Sequence, residues 1–506
     1  MTAGWLQAGL GAALVLSAWL VPRHVAAARA ARPAALLLDA APAGLGAGLM
    51  LAFSARPVFS GLLVFALAAG LAFADRVKRE VLREPVVFSD MSELPQIFTH
   101  PQLYLPFAGP GLVIGGAAAA GVGLLALWRL EPALWAPGGM PALLLLLLVL
   151  GGGWALSRQP ALGAAAGVLR RLEPSGEPFA DAARLGPYAA LLVHGIVARA
   201  ERAGRRARYL PPARVGPRPS ALELPLVLVQ CESFFDARRL SPLLPKDLLG
   251  GFDALCAEGL CGRLDVPGWG ANTTRAEFAA LTGIAEEALG YDRFNPYHAF
   301  ARAPVNSLAW RLRGAGYRTI CLHPFDRAFF RRDRALPALG FDTFLGRDSI
   351  GGSRAPPYFP DPDLARRVLE SLDEAGARSF IFAITMGNHG PWRKAGGPAG
   401  IAGLPQGGEL LRYLEGLRRS DEMLAILRDG LDRRRFCGVL GFYGDHVPSL
   451  PQAFRHFGFD ARASDYVLWR RDALVPRRRD LRVQELPRLI LEMLEASEFP
   501  AMALGA

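Results

Sequence analysis

Cysteine is scarce in this sequence. Its 506 residues hold five (Cys231, Cys256, Cys261, Cys321 and Cys437), and none stand in the paired C-x-x-C spacing of a structural zinc site. Cys256 and Cys261 lie close enough along the chain to bridge in an oxidising compartment; buried free thiols are the alternative. Histidine is also sparse, at eight, so a histidine at a motif position carries weight. No internal repeat or long low-complexity tract occurs, which leaves no sign of a solenoid or array. Acidic residues number 46 against 57 basic ones, a formal charge of +11. The arginines are nevertheless scattered or flank apolar runs. That distribution argues against nucleic acid as a partner and points to a membrane surface or an anionic substrate.

Apolar residues are abundant. They make up 51% of the chain, mean hydropathy is +0.21, and the excess lies before residue 160. The length exceeds one ordinary domain. The expected layout is a transmembrane domain at 1–157, an amphipathic basic linker at 158–222 and a soluble domain at 223–506. Five segments approach the ~20 residues a spanning helix needs: Gly4–Val21, Ala34–Ser54, Val58–Ala74, Leu105–Trp128 and Met140–Ser157. Asp39 and Pro42 interrupt the second. An ionisable group inside a span is a functional candidate by default, with a place near the membrane interface as the alternative. No basic stretch precedes the first run, which favours a retained helix over a signal peptide. The loop with Arg76, Lys78, Arg79 and Arg83 faces the cytoplasm by the positive-inside rule, and two spans later the soluble domain would be cytoplasmic as well. Tyr188–Arg202 is amphipathic and predicts a helix on the membrane surface or packed on the soluble domain, with His194 structural. Pro211–Pro219, with four prolines, predicts an extended linker.

From Leu224 onward, short apolar runs alternate with helical stretches. Strands are expected at Leu224–Cys231, Tyr317–Leu322, Ser379–Thr385, Cys437–Phe442 and Tyr466–Trp469. Helices are expected at Val305–Ala315, Leu364–Ala375, Leu410–Asp432 and Val483–Ala496. This alternation predicts an α/β domain with a mostly parallel sheet covered on both faces. Chemistry-bearing residues gather where the strands end. Glu232 follows the first strand, His323 the second and His389 the third, and Asp445–His446 follow the fourth. A further stretch, Gly270–Phe278 (GANTTRAEF), offers the hydroxyls of Thr273 and Thr274. In open α/β sheets ligands collect beyond the carboxyl ends of the strands. Carboxylates, a hydroxyl and an Asp–His pair there suit metal-assisted phosphoryl or sulfuryl transfer.

In order, the motifs read E-S-F, T-x-x-x-E-F, H-P, T-M-x-N-H-x-P-W and Y-G-D-H, behind several membrane spans. This resembles the lipoteichoic acid synthase family and its relatives, the phosphoglycerol transferases that decorate periplasmic glucans. The resemblance covers nearly the whole chain. It implies about five spans followed by an alkaline-phosphatase/sulfatase-like domain. That domain would face the periplasm or cell exterior from the cytoplasmic (inner) membrane, the side opposite to that given by loop charge. It implies a divalent metal, usually Mn²⁺ with Mg²⁺ or Zn²⁺ as alternatives, on Glu232, Thr273, Asp445 and His446, and Thr273 as nucleophile. Thr274 is the competing nucleophile. His323 and His389 fall on substrate-side histidines, His389 as proton donor to the leaving group. Phe330 and Arg332 fall on a Trp-x-Arg pair that contacts glycerol phosphate. Phe330 departs from that pattern and removes an indole N–H donor; Arg331 is an alternative phosphate clamp. No C/S-x-P-x-R pentapeptide begins the Thr273 region, which argues against sulfate ester hydrolysis.

The implied reaction moves phosphoglycerol from phosphatidylglycerol to a glycan or glycerol-phosphate acceptor through a phosphothreonine. The alternatives are a phosphoethanolamine transferase, a phosphodiester hydrolase and an inactive membrane scaffold. The Pro-rich Ala355–Pro362 is expected to be a loop near the site rim, and Tyr443 to be packing.

Overall fold

A computed structural model of the chain describes residues 2–29, 32–212, 224–392, 408–434, 438–471 and 477–495. It divides into two compact units, Met1–Ala203 and Gly204–Ala506.

Among the described residues of the first unit, four helices are long and apolar enough to cross a membrane: Gly4–Val25, Pro33–Ser54, Pro57–Leu82 and Pro110–Leu130. The fourth begins later than Leu105. Gly109 takes φ 77 and Pro110 opens a new helix, so Pro101–Ala108 is a separate short element. The fifth expected span is not one straight helix. Met140–Ala155 and Gln159–Arg170 meet at 92°, because Pro160 lacks the N–H that would continue the earlier ladder. The first and third helices touch backbone to backbone. A Cβ on Gly61 would lie 2.7 Å from the Gly11 carbonyl oxygen, so only glycine permits this approach.

Asp39 has a structural partner set. Its carboxylate is fully buried and accepts hydrogen bonds from Trp19 Nε1 at 2.9 Å and Arg23 Nη1 at 2.7 Å. It also accepts the backbone N–H groups of Tyr188 (2.9 Å) and Ala189 (3.1 Å). Those two open the amphipathic helix Pro187–Arg208, whose first turn has donors without intrahelical acceptors. Asp39 therefore tethers that helix to the first unit, and Ala189, Ala190, Val193 and Val197 along it are buried. His194 is buried against Asp181, 2.8 Å away, in keeping with a structural role. The Pro-rich stretch Pro211–Pro219 lies mostly outside the described residues.

The second unit is built on one nine-stranded sheet. The strands are β1 (Leu226–Cys231), β2 (Leu260–Asp265), β3 (Arg318–Leu322), β4 (Thr343–Leu345) and β5 (Ser379–Ile384). They continue with β6 (Val439–Gly444), β7 (Ser464–Trp469), β8 (Arg477–Arg478) and β9 (Leu481–Arg482). The order is β4-β3-β5-β1-β6-β7-β2-β8, with β9 also on β2. From β4 to β6 every pairing is parallel; β7 is antiparallel to both β6 and β2. Every residue of β1, β5 and β6 is buried, as strands covered on both faces require. One face packs against helices Gly250–Glu258, Asp361–Ala375 and Gly408–Asp432. The other packs against Thr273–Thr282, Leu308–Gly314, Arg332–Ala338 and Leu486–Glu495.

The five expected strands are present within two or three residues. β2 was not legible because it is half-buried and carries Gly262, Arg263 and Asp265; β4, β8 and β9 are three residues or fewer. Cys256 and Cys261 are bridged, with Cα atoms 5.4 Å apart, tying helix Gly250–Glu258 to β2. Cys231 and Cys321 are free and buried, and Cys437 lies outside the described residues.

Candidate active site

Strand register assembles the site. β1 lies between β5 and β6, with Gln230 opposite both Ile384 and Tyr443 and Cys231 opposite Gly444. The residues that follow, Glu232, Thr385 and Asp445, therefore leave the sheet side by side at its carboxyl edge. The Glu232 N–H donates to Thr385 Oγ1 at 3.0 Å, and the Ser233 N–H donates to Asp445 Oδ1 at 2.9 Å. Gly444 allows the crossing: a Cβ there would sit 1.9 Å from the Phe234 carbonyl oxygen.

Three side chains then converge. His446 Nε2 lies 3.3 Å from Asp445 Oδ2 and 3.6 Å from Glu232 Oε1. The His446 Nδ1–H donates to the Val447 carbonyl at 3.0 Å, which leaves Nε2 as the lone-pair nitrogen facing the carboxylates. Thr273 Oγ1 stands 3.5 Å from the same Nε2. Thr273 is the first residue of helix Thr273–Thr282, after Asn272 at φ 73, so its hydroxyl sits where unbonded N–H groups and the helix dipole favour an anion. Thr274, next along, is buried too.

Among the described residues after 203, the non-glycine positions with positive φ are Ser233, Asn272, Phe330 and Arg331. Ser233, Asn272 and Arg331 adjoin the candidate site residues Glu232, Thr273 and Arg332, and Phe330 is itself a candidate. Such backbone costs about 1–3 kcal/mol per residue, and here it is concentrated around the site.

The charges are those of a cation site. Glu232, Asp445 and His446 place one donor atom each within 4.8 Å of one another, all buried. Asp445 Oδ2 is buried with no hydrogen-bond partner. Burial, then the neighbouring Asp445 charge, pushes the Glu232 carboxyl up to about 8. Two buried carboxylates and an imidazole lone pair repel one another unless a cation sits between them. The residues present therefore fit a divalent ion.

A second cluster adjoins the first. Arg332 is buried and its Nη2 bonds Glu277 Oε2 at 2.7 Å, while Nε shares both Glu277 oxygens at 3.2 and 3.3 Å. The remaining Nη1 lies 3.4 Å from His323 Nε2. His323 Nδ1–H donates to the Ile384 carbonyl at 3.2 Å. Burial, then the Arg332 charge, holds His323 well below its ordinary range, so it is neutral. Glu277 also accepts from Tyr297 Oη and Gln230 Nε2, and Tyr443 Oη donates to Gln230. Tyr443 is thus part of a polar network beneath the site rather than simple packing. Phe330 packs on Phe329 and lies over the Arg332 guanidinium, 5.5 Å from ring centre to Cζ. His389 Nδ1–H donates to the Gly390 carbonyl at 2.6 Å, and burial lowers its pKa. Glu232, His323, His389, Asp445 and His446 lie at the carboxyl edge of β1, β3, β5 and β6, with Thr273 beside His446, Arg332 beside His323 and Phe330 beside Arg332. Glu277 enters the sequence motifs only as a spacing marker, yet it anchors the Arg332 guanidinium.

Glu277→Gln should show what that carboxylate does. Arg332 would keep its charge in a buried site with no counter-ion, a loss of about 3–5 kcal/mol. Thermal unfolding of the variant should shift down by an amount consistent with that, and added phosphate should recover part of the shift. A variant as stable as the wild type would mean that Arg332 is not held by Glu277.

Residues 262–482 match the Sulfatase family model. The second unit carries a sulfatase-like domain. The match takes in β2 through β9 and includes Thr273, Asp445 and His446. A solved structure of the integral membrane lipooligosaccharide phosphoethanolamine transferase A (EptA) from Neisseria meningitidis superposes with a TM-score of 0.58. It is 14% identical, over 98% of this chain and 96% of that one. Apolar helices followed by a sulfatase-like domain are therefore a known architecture, and the chain is a multi-pass membrane protein of that design. Two similar proteins come from Rhizobium meliloti. The capsular polysaccharide biosynthesis protein RkpI is 28% identical over 418 residues, 79% of this chain and 75% of that protein. A putative cyclic beta-1,2-glucan modification protein is 31% identical over 242 residues, 46% of this chain and 37% of that protein. The Sulfatase match and the fold shared with EptA agree with the sulfatase-like fold that the motif resemblance implies.

Proposed function

We propose that this protein transfers a phosphoglycerol head group from phosphatidylglycerol to a glycan or glycerol-phosphate acceptor, with Thr273 as the covalent carrier. The observation that carries this reading is the meeting of Thr273 Oγ1, His446 Nε2 and two carboxylates at a helix N-terminus. Glu232, Asp445, His446 and Thr273 would hold the divalent ion. The oxygen-rich set with one imidazole suits Mn²⁺, with Mg²⁺ or Zn²⁺ as alternatives. When bound, the ion supplies positive charge for the phosphoryl oxygens and acidifies the threonine hydroxyl.

Thr273 Oγ1 attacks phosphorus, and the bond from phosphorus to the diacylglycerol oxygen breaks. The proton lost by threonine is balanced by the one the diacylglycerol oxygen gains. In the second half, an acceptor hydroxyl attacks the phosphothreonine, gives up its proton and restores Thr273. A covalent carrier splits one displacement into two easier ones. His389 is neutral at rest, with its Nδ1–H tied to Gly390, so its Nε2 suits relaying these protons. Arg332 Nη1 and His323 face the non-bridging oxygens, and the Arg332 charge reaches as far as Glu232. The membrane unit keeps the site beside a donor whose acyl chains stay in the bilayer, with the sulfatase-like domain on the periplasmic or outer side. The Rhizobium relative named for modifying a cyclic glucan supports a glycan acceptor.

A phosphoethanolamine transferase is the second reading, favoured by the full-length likeness to EptA. Purified protein given each lipid in turn separates the two. Diacylglycerol should be released from phosphatidylglycerol and not from phosphatidylethanolamine. Release independent of any acceptor would make the protein a hydrolase, and release from neither lipid would leave the scaffold reading.

A further inference from the structure

The segment Ala355–Pro362 was expected to be a loop at the rim, yet it puts Tyr358 inside. Tyr358 is 7% exposed. Its ring meets His389 edge-on, centroids 5.6 Å apart, and meets Phe325 edge-on at 6.3 Å. It is thus wedged between the loop after β3, which carries His323, and the loop after β5, which carries His389. Its hydroxyl is buried and has no hydrogen-bond partner in the protein. A buried phenol normally finds an acceptor, since leaving one unmade is costly.

We propose that Tyr358 is a substrate-contacting residue whose hydroxyl donates a hydrogen bond to an oxygen of the phosphoryl group bound between His389 and the Glu232, Asp445 and His446 cluster. The proposal rests on the phosphotransfer reading above and adds a donor that neither the motifs nor the relatives assign. Burial, then the charge of Glu232, raises the phenol's pKa. It therefore stays protonated at neutral pH and presents a donor to an anion without adding negative charge beside the carboxylates. An oxygen that gains charge as the bond to phosphorus breaks gains most from such a donor. The Tyr358 ring also packs against the His389 ring.

The test is Tyr358→Phe in the full-length protein, read by three measurements. Transfer from phosphatidylglycerol should fall about 10- to 100-fold in kcat/KM, the range for a hydrogen bond to a charged group. Binding of glycerol phosphate to the Mn²⁺-loaded protein, by calorimetry, should weaken about tenfold or more, while the affinity for Mn²⁺ alone stays as in the wild type. Thermal unfolding without ligand should be unchanged or raised, because a hydroxyl with no protein partner has been removed. Transfer and glycerol phosphate affinity equal to wild type would overturn the proposal. So would a fall in unfolding temperature matching the loss of activity, since the hydroxyl would then have an internal structural partner. If wild type does not use phosphatidylglycerol but Tyr358→Phe still binds glycerol phosphate more weakly, the donor assignment fails and Tyr358 stands. If wild type binds no glycerol phosphate, both fall together.

Discussion

Thr273→Ala should lower transfer at least about 1,000-fold, as loss of a covalent nucleophile does in hydrolases, and Thr274→Ala should leave most of it. Both hydroxyls are buried in the same helical turn. Thr273 Oγ1 approaches the Glu232, Asp445 and His446 cluster, 3.5 Å from His446 Nε2. The left-handed Asn272 turns the chain sharply into the helix and presents the first hydroxyl, with the free N–H groups, toward the cluster. Thr273→Ser keeps an oxygen at that place and should recover part of the rate. Steady-state transfer with labelled phosphatidylglycerol measures all three. A Thr274→Ala variant that loses transfer while Thr273→Ala keeps it would move the nucleophile one residue along.

Asp445→Asn should abolish useful metal binding. The substitution keeps Oδ1 as acceptor for the Ser233 N–H, so the loop keeps its anchor, but it takes the negative charge from the unpartnered Oδ2. Outer-shell changes alone cost about 10–100-fold in metal affinity, so a direct donor should cost more than about 100-fold. Metal binding should also be linked to pH through Glu232. With its carboxyl raised from 4.5 to about 8, the metal-free folded state holds a proton across that window which the unfolded chain has lost. Its contribution to stability is present below pH 4.5 and is lost as pH rises through 8. An ion at the site must displace that proton. Calorimetry of Mn²⁺ binding near pH 7, in two buffers of different ionisation enthalpy, should show proton release, and affinity should climb toward pH 8. Affinity flat with pH and no proton release would mean that Glu232 is not a ligand.

Much of this site was legible because its residues sit at the ends of continuous apolar runs. β1, β5 and β6 have every side chain buried, and the mostly apolar runs of β1 and β6 end at the first carboxylate. Glu232 and the Asp445–His446 pair are such ends. Span positions were legible from hydropathy, but not where proline and glycine restart a helix, as at Gly109–Pro110 and Pro160. Asp39 shows the other limit. Its meaning depends on Tyr188 and Ala189, 149 and 150 residues away, and no local pattern announces that contact. Glu277 and Tyr358 were missed for a similar reason. Glu277 acts through Arg332 on a distant helix, and Tyr358 comes from a proline-rich loop whose composition looks like connection rather than chemistry. β2, only half-buried between β7 and the short β8 and β9, has too few buried residues to show a period.

The central claim is that a threonine oxygen becomes bonded to the lipid's phosphorus. Intact and peptide mass spectrometry of the Mn²⁺-loaded protein, incubated with phosphatidylglycerol and no acceptor, tests it directly. A phosphoglycerol adduct on the peptide holding Thr273, absent from Thr273→Ala and discharged when acceptor is added, is the predicted result. Diacylglycerol released at full rate with no adduct on any threonine would contradict it.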